Sequence, residues 1–318
     1  MNRMLPQTFL LLLNLFVSIG QSELRLELVQ VIMRHGERTP LFKELYPKDP
    51  YNVSIYEPWG LSQLTNQGKL TEYRIGIMLR QRYDNFLGSI YYSRDIYAVS
   101  TDYDRTKMSL QLMLAGLYPP DTSQLWNPNL PWLAIPTHYV PKRKIMNLTL
   151  PEWCTDDVYS QIQSMVELEY EIFSYTTQLK RLNGGMLIKK FIDNINGSNK
   201  GLNPRKMYVY SAHDMNIAAF AKAQNISEPK IPDYGSTFLF EKLRDNTGKV
   251  FIRIFLWTGT TEKLMSIKLT DCDEICPLET YLELMRDVIP SDEETTCLWD
   301  NLTREEQLAL FNEELRVI

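Results

Sequence analysis

Seven residues, Arg34-His35-Gly36-Glu37-Arg38-Thr39-Pro40, put a histidine between two arginines directly after the apolar run Leu28-Val29-Gln30-Val31-Ile32-Met33. That grouping suits an anion pocket that holds a nucleophile. The guanidinium forks of Arg34 and Arg38 match the oxygens of a tetrahedral dianion and keep their charge at working pH. The same charges disfavour protonation of His35, so its imidazole stays nucleophilic in acid.

Two further stretches share this layout of apolar strand, polar switch and helix. Arg105 lies in Ser100-Thr101-Asp102-Tyr103-Asp104-Arg105-Thr106, and His213-Asp214 follow the apolar residues 206–211. Open α/β sheets bind ligands at such strand ends, and helix N-termini after Ser100 and His213 add backbone donors and a favourable dipole. Other titratable residues receive plainer readings. His138, isolated among prolines, is structural; Glu37 and Asp292-Glu293-Glu294 are solvated charges.

The elements that must position these groups follow from pattern. Strands are expected over 24–33, 95–100 and 206–211, and a hairpin over 236–243 and 249–257 around Asp245-Asn246-Thr247-Gly248. One helix starts at Thr65, with Leu70, Tyr73 and Ile77 at helical spacing, and a second spans 102–117. Residues 121–144, with four prolines, read as an extended connection. Thr155 opens a long helix with Val158, Ile162, Met165, Val166 and Ile172 on one face; Gly184-Gly185 breaks it, and a helix resumes from Met186. An alanine-rich helix follows His213. The expected fold class is α/β, a mostly parallel central sheet with flanking helices, an antiparallel edge and a reduced helical lobe around 121–200.

The chain has 318 residues, 44% hydrophobic and 23% charged, which is ordinary for a folded protein. Residues 1–20 read as a signal peptide: Arg3, the apolar stretch 9–19, and small residues near Gly20. Its removal takes the net charge from −5 to −6, since Arg3 is its one charged residue. Nucleic acid is then an unsuitable partner, and no later stretch is apolar and long enough to span a membrane. Asn-x-Ser/Thr sequons at Asn52, Asn147, Asn196, Asn225 and Asn301 suit a secretory route. Cys272 and Cys276 fit a local disulfide better than a zinc site, because soft ligands are scarce; Cys154 and Cys297 are candidates to pair with each other.

Arg34 to Pro40 together with Tyr210-Ser211-Ala212-His213-Asp214 resembles the histidine acid phosphatase family, as do residues 100–109, Trp126-Asn127-Pro128 and 272–277. The resemblance implies a histidine phosphatase fold, phosphoglycerate mutase-like, over residues 21–318. It implies that His35 attacks phosphorus to form a phosphohistidine, that Arg34, Arg38, Arg105 and His213 hold the phosphoryl oxygens, and that Asp214 protonates the leaving alcohol. No metal or organic cofactor is implied. The substrate would be a small-molecule or peptide phosphomonoester, the compartment extracellular or lysosomal, and a homodimer is possible. An acid optimum is expected, because a bound phosphate favours the protonated form of Asp214.

One stretch departs from the family. Its members carry a long helical insertion that roofs the site between the segments corresponding to Lys144 and Leu148, where this chain has almost nothing. The family's partner for Cys297 falls inside that insertion, and a second family bridge has neither cysteine here. Two rival readings remain: a phytase-like enzyme, although that branch resembles His-Ala-Glu where this chain has His213-Asp214, and a secreted binding protein that kept the phosphate pocket with weak or no turnover.

Overall fold

A computed structural model describes residues 23–45, 52–140, 164, 166–201, 205–259 and 263–295. The expected signal peptide, Cys154, Cys297, the shortened junction at 144–148, and Asn147 and Asn301 lie outside these residues. The three described sequons, Asn52, Asn196 and Asn225, are exposed.

An eight-stranded sheet organises the described residues: β1 (Arg25–Arg34), β2 (Ile96–Thr101), β3 (His138–Val140), β4 (Met207–Ala212), β5 (Thr237–Arg244), β6 (Val250–Trp257), β7 (Met265–Ile267) and β8 (Ile275–Pro277), in the order β3-β2-β4-β1-β5-β6-β7, with β8 also on β6. The strands β3, β2, β4 and β1 are parallel, and β5 to β8 form the antiparallel side. The expected α/β class with a central sheet and flanking helices is therefore present, but the sheet is mixed and not mostly parallel: three of these strand pairs are parallel and four antiparallel. The proline-rich connection ends in a strand, β3, that three residues were too few to announce.

β1 is central because both of its faces are apolar. Leu28 and Ile32 join one core with Ile188, Phe191 and Ile195 of α3 (Met186–Asn199), Ile217 and Phe220 of α4 (Asp214–Ala223), and Tyr281 of α5 (Leu278–Met285). Val29, Val31 and Met33 join the other with Ile75 and Leu79 of α1 (Asn66–Leu87) and Leu110 and Met113 of α2 (Asp104–Leu117). The one polar residue in the run, Gln30, is fully buried and satisfied: its amide donates to the Phe191 carbonyl at 2.9 Å and accepts from Asn194 at 2.7 Å. Leaving such a group unpaired would cost about 1–3 kcal/mol.

Helix α1 starts where expected, capped by Thr65, whose hydroxyl accepts from the Gly68 amide at 3.0 Å. Its buried face differs from the expected one. Leu70 and Tyr73 are exposed, while Ile75, Gly76, Leu79 and Tyr83 point inward. Glycine decides this: a Cβ on Gly76 would stand 2.0 Å from the Met113 carbonyl oxygen, and one on Gly116 2.3 Å from that of Tyr73. Two helices that approach this closely turn their glycines, not their largest residues, toward each other.

Gly184-Gly185 do not break the helix either. Thr177–Lys180 runs through a π-helical turn, Arg181–Gly185, into α3. Cβ atoms on the two glycines would stand 2.0 Å from the Ala219 and Val288 carbonyl oxygens, so Gly184 allows close packing against α4 and Gly185 against the turn after α5. Of the helical face expected before it, Val166 is half-buried and Ile172 exposed. Cys272 and Cys276 form the expected disulfide. No helix of the described residues is long and apolar enough to cross a membrane.

Glu72 of α1 is fully buried below Gly235, and neither carboxyl oxygen has a hydrogen-bond partner among the described residues. Burial pushes this carboxyl well above the ordinary glutamate value. The folded state holds its proton where the unfolded chain has lost it, so stability is complete in acid below the unfolded value and falls as pH rises toward the folded one. Thermal melts from about pH 4 to about pH 8 should show that fall, and E72Q should flatten it. An E72Q protein with the wild-type slope would place the pH dependence elsewhere.

Candidate active site

Three parallel strands end at one edge of the sheet, and their register delivers the chemistry. Arg34 pairs with Ala212 across β1 and β4, and Ser100 with Ser211 across β2 and β4. The ladder continues one step: the His35 amide donates to the Ala212 carbonyl at 3.1 Å. His35, Thr101 and His213 thus leave neighbouring strands side by side, and α2 and α4 begin immediately afterward.

The polypeptide after His35 is pressed against the start of α1. A Cβ on Gly36 would stand 2.5 Å from the Gly68 carbonyl oxygen, and one on Gly68 2.0 Å from that of Glu37. Ser109 accepts from the Gly36 amide at 3.1 Å, and Glu37 accepts from the Thr65 hydroxyl at 2.8 Å. Both helices of one layer therefore clamp the backbone that carries the histidine.

His35 is 3% exposed. Its Nδ1 lies 2.8 Å from the Gly36 carbonyl oxygen, which only accepts, so Nδ1 carries the proton. Nε2 then holds a lone pair, to which Arg105 Nε donates at 3.1 Å. Burial, reinforced by the charges of Arg105, Arg34 and His213, pulls the histidine down to about 2, against the opposing pull of the Gly36 hydrogen bond. A neutral, Nε2-nucleophilic imidazole across the acid range is the chemical result.

The arginines are held by their ends. Arg34 Nη2 pairs with Asp214 at 2.7 Å, its Nη1 donates to the Pro232 carbonyl, and its guanidinium carbon lies 4.1 Å from the centroid of the Tyr234 ring. Arg38 makes a two-pronged pair with Glu44, both contacts 2.7 Å. In each, the buried Nε has no partner among the described residues. Arg105 spans His35 and the Ser62 hydroxyl, which it reaches at 2.8 Å, and lies 4.2 Å over the Tyr103 ring. Burial and the nearby Arg38 charge bring Arg105 down to about 10, so it remains a cation at any acid or neutral pH.

His213 meets the His35 ring edge-on at 5.4 Å and the Tyr103 ring at 4.8 Å. Asp214 opens α4, its other oxygen accepting from the Met215 amide at 2.8 Å. All six residues expected from sequence, Arg34, His35, Arg38, Arg105, His213 and Asp214, converge on this strand edge. His138 does not; it stacks on Tyr97 at 4.6 Å in β3. Among the described residues no cluster of three or more His, Cys, Asp or Glu side chains is arranged to hold a metal ion.

A family model describing the histidine phosphatase superfamily, branch 2, matches residues 25–180 and 142–256. The chain belongs to this family. Among histidine phosphatases, a venom acid phosphatase of Apis mellifera is 33% identical over 343 aligned positions, covering 86% of this chain and 87% of the relative. Prostatic acid phosphatase of Rattus norvegicus is 29% identical over 360 positions, covering 91% and 93%. Both alignments are longer than the 318 residues of this chain, so these relatives carry stretches that it lacks. The fold is that of solved phytases: TM-score 0.62 at 14% identity to the enzyme of D. castellii, covering 86% of this chain and 82% of that one, and 0.58 at 15% to Hafnia alvei phytase with tartrate, covering 84% and 98%.

Sequence reading of this histidine phosphatase missed Glu44, Ser62, Thr101, Tyr103 and Tyr234. A carboxylate six residues beyond Arg38 was a faint signal for Glu44; Tyr234 gave none, since it reaches the site from a loop two hundred residues away. Glu44 clamps the Nη1/Nη2 end of Arg38 and so fixes the plane of its guanidinium. E44Q removes one charge-assisted contact, so competitive inhibition by inorganic phosphate should weaken about tenfold, and an unchanged inhibition constant would show that Arg38 needs no such clamp.

Proposed function

We propose that this chain is an acid phosphatase that hydrolyses phosphate monoesters, small-molecule or peptide, through a phosphoryl group carried on His35. The observation that carries the reading is the pair of buried guanidinium Nε groups of Arg34 and Arg38, without partners among the described residues, beside a histidine whose unprotonated Nε2 accepts from Arg105. Buried donors without acceptors are costly, and a tetrahedral oxyanion at this point satisfies both.

His35 Nε2 attacks phosphorus as the ester P–O bond breaks, and Asp214 gives its proton to the departing alkoxide, which leaves as the alcohol. Arg34, Arg38, Arg105 and His213 spread the charge of the equatorial oxygens. Asp214, now a carboxylate, takes a proton from water whose oxygen attacks phosphorus; the P–N bond breaks, and phosphate and free His35 are restored.

In the resting protein Asp214 is paired with Arg34 at 2.7 Å. An arriving phosphoryl group competes for Arg34 and brings negative charge beside Asp214, and both effects favour the protonated acid. Ester binding and acid readiness are thereby coupled, and an acid optimum follows.

Every relative named above is a phosphatase, which does not favour a binding protein without turnover. Their secretory names, together with lysosomal acid phosphatase of Rattus norvegicus at 28% identity, support an extracellular or lysosomal setting. Residues 21–318 are proposed as one catalytic domain with a signal peptide before it. A shortened roof would open the site to water and to varied esters, which predicts low selectivity.

Incubation with an aryl phosphate near pH 5, with chelator present, tests the reading. H35A should lose about a thousandfold or more in kcat. D214N should lose about a hundredfold on alkyl esters and less on esters of acidic phenols, which depart without a proton. H35A turning over at the wild-type rate, or wild-type rates flat from about pH 5 to about pH 9, would refute it.

A further inference from the structure

The hydroxyls behind His213 have an order that can be worked out one proton at a time. Thr106 Oγ1 lies 2.8 Å from the Thr101 carbonyl oxygen and 2.9 Å from that of Tyr103. Carbonyls only accept, so the single Thr106 hydroxyl proton is committed to them. Thr106 Oγ1, which is 3.0 Å from Thr101 Oγ1, must therefore accept from it, and that uses the single Thr101 proton. Thr101 Oγ1 lies 2.8 Å from His213 Nε2 and has only a lone pair left to offer. The ring nitrogen has to donate.

We propose that Thr101 and Thr106 are positioning residues that hold His213 as the Nε2–H tautomer, so that Nδ1 is the nitrogen that gains and loses a proton and that meets the phosphoryl oxygen. This deepens, and rests on, the phosphate-binding role given to His213 above. At acid pH Nδ1 carries a proton and donates to the phosphoryl oxygen. As pH rises Nδ1 gives that proton to solvent, and a lone pair then faces an oxyanion. The ring thus ties phosphate affinity to acidity from the binding side, separately from the acid role of Asp214.

Groups facing the ring set when that proton leaves. His35 meets it from β1 and Tyr103 from the start of α2, Thr101 holds its Nε2, and Asp214 follows it on α4. Arg34 and Arg105 act on His35 together with His213, so their charges share the pocket. Backbone contacts anchor the relay: the Thr106 carbonyl accepts from the Ser211 hydroxyl at 3.0 Å, joining α2 to the strand that ends at His213.

Three histidines in the whole chain make the test direct. Nitrogen-15 spectra of histidine-labelled protein without phosphate, assigned with H138Q and H213N, should show neutral His213 protonated at Nε2. T101V should lose that signature while T101S keeps it. In parallel, inhibition by inorganic phosphate should weaken as pH rises in wild type, and T101V should be weakened about fivefold at acid pH with T101S restoring it. T106S and T106V form a second pair if T101V does not fold. An Nδ1–H tautomer in wild type, or valine variants equal to their serine counterparts in both readouts, overturns the relay. Because the spectra need no turnover, an inactive protein with the Nε2–H signature would instead contradict the phosphatase reading alone.

Discussion

A neutral imidazole held among three guanidinium groups is the constraint around which this molecule is built. Burial disfavours the protonated ring most, the Gly36 hydrogen bond opposes that effect by about 1 kcal/mol net, and the charges of Arg105, Arg34 and His213 act in the same direction as burial, so His35 keeps its lone pair in acid. The same cations would push one another apart without anions. Asp214 and Glu44 supply them at the Nη ends of Arg34 and Arg38, while the buried Nε groups have no partner among the described residues.

The fold supplies the rigidity this arrangement needs. β1 is buried on both faces, Leu28 and Ile32 in one core and Val29, Val31 and Met33 in the other, so His35 leaves a strand held from both sides. β2 and β4 run parallel to it and end at the same edge, which brings residues 101 and 213 beside 35. Glycines at 36 and 68 let α1 touch the backbone of the first motif, and α2 reaches it through Ser109. Packing on one side of the sheet thereby sets the geometry of the site on its edge.

Much of this was legible in the sequence. β1, the hairpin of β5 and β6, and the alanine-rich α4 were legible because their periodicity and turn residues agree with where they are buried. The convergence of the six candidate residues was legible in two ways: arginines flanking a histidine at a strand end single out Arg34, His35 and Arg38, while Arg105, His213 and Asp214 followed from the repeated strand, switch and helix layout and from the family resemblance. What was hidden depends on distant partners: the inward face of α1 follows from the contact of Gly76 with Met113, and the Gly184-Gly185 pair serves packing against Ala219 and Val288, where local propensity suggests a break. Tyr234 and Ser62 join the site only through the tertiary fold, and Ser62 does so with φ at 66°. The relay from Thr106 to His213 was hidden for another reason, since hydroxyl direction follows from the full set of acceptors around each proton.

The central claim is that His35 carries the phosphoryl group on Nε2, the nitrogen left unprotonated because Nδ1 donates to the Gly36 carbonyl. Trapping the intermediate answers it most directly: rapid mixing with an aryl phosphate, quenching in alkali where phosphohistidine survives, and locating the phosphoryl group by peptide mass spectrometry and phosphorus NMR. The account predicts phosphate on His35 at Nε2. Phosphate on Nδ1, on His213, or on no histidine while turnover proceeds would contradict it.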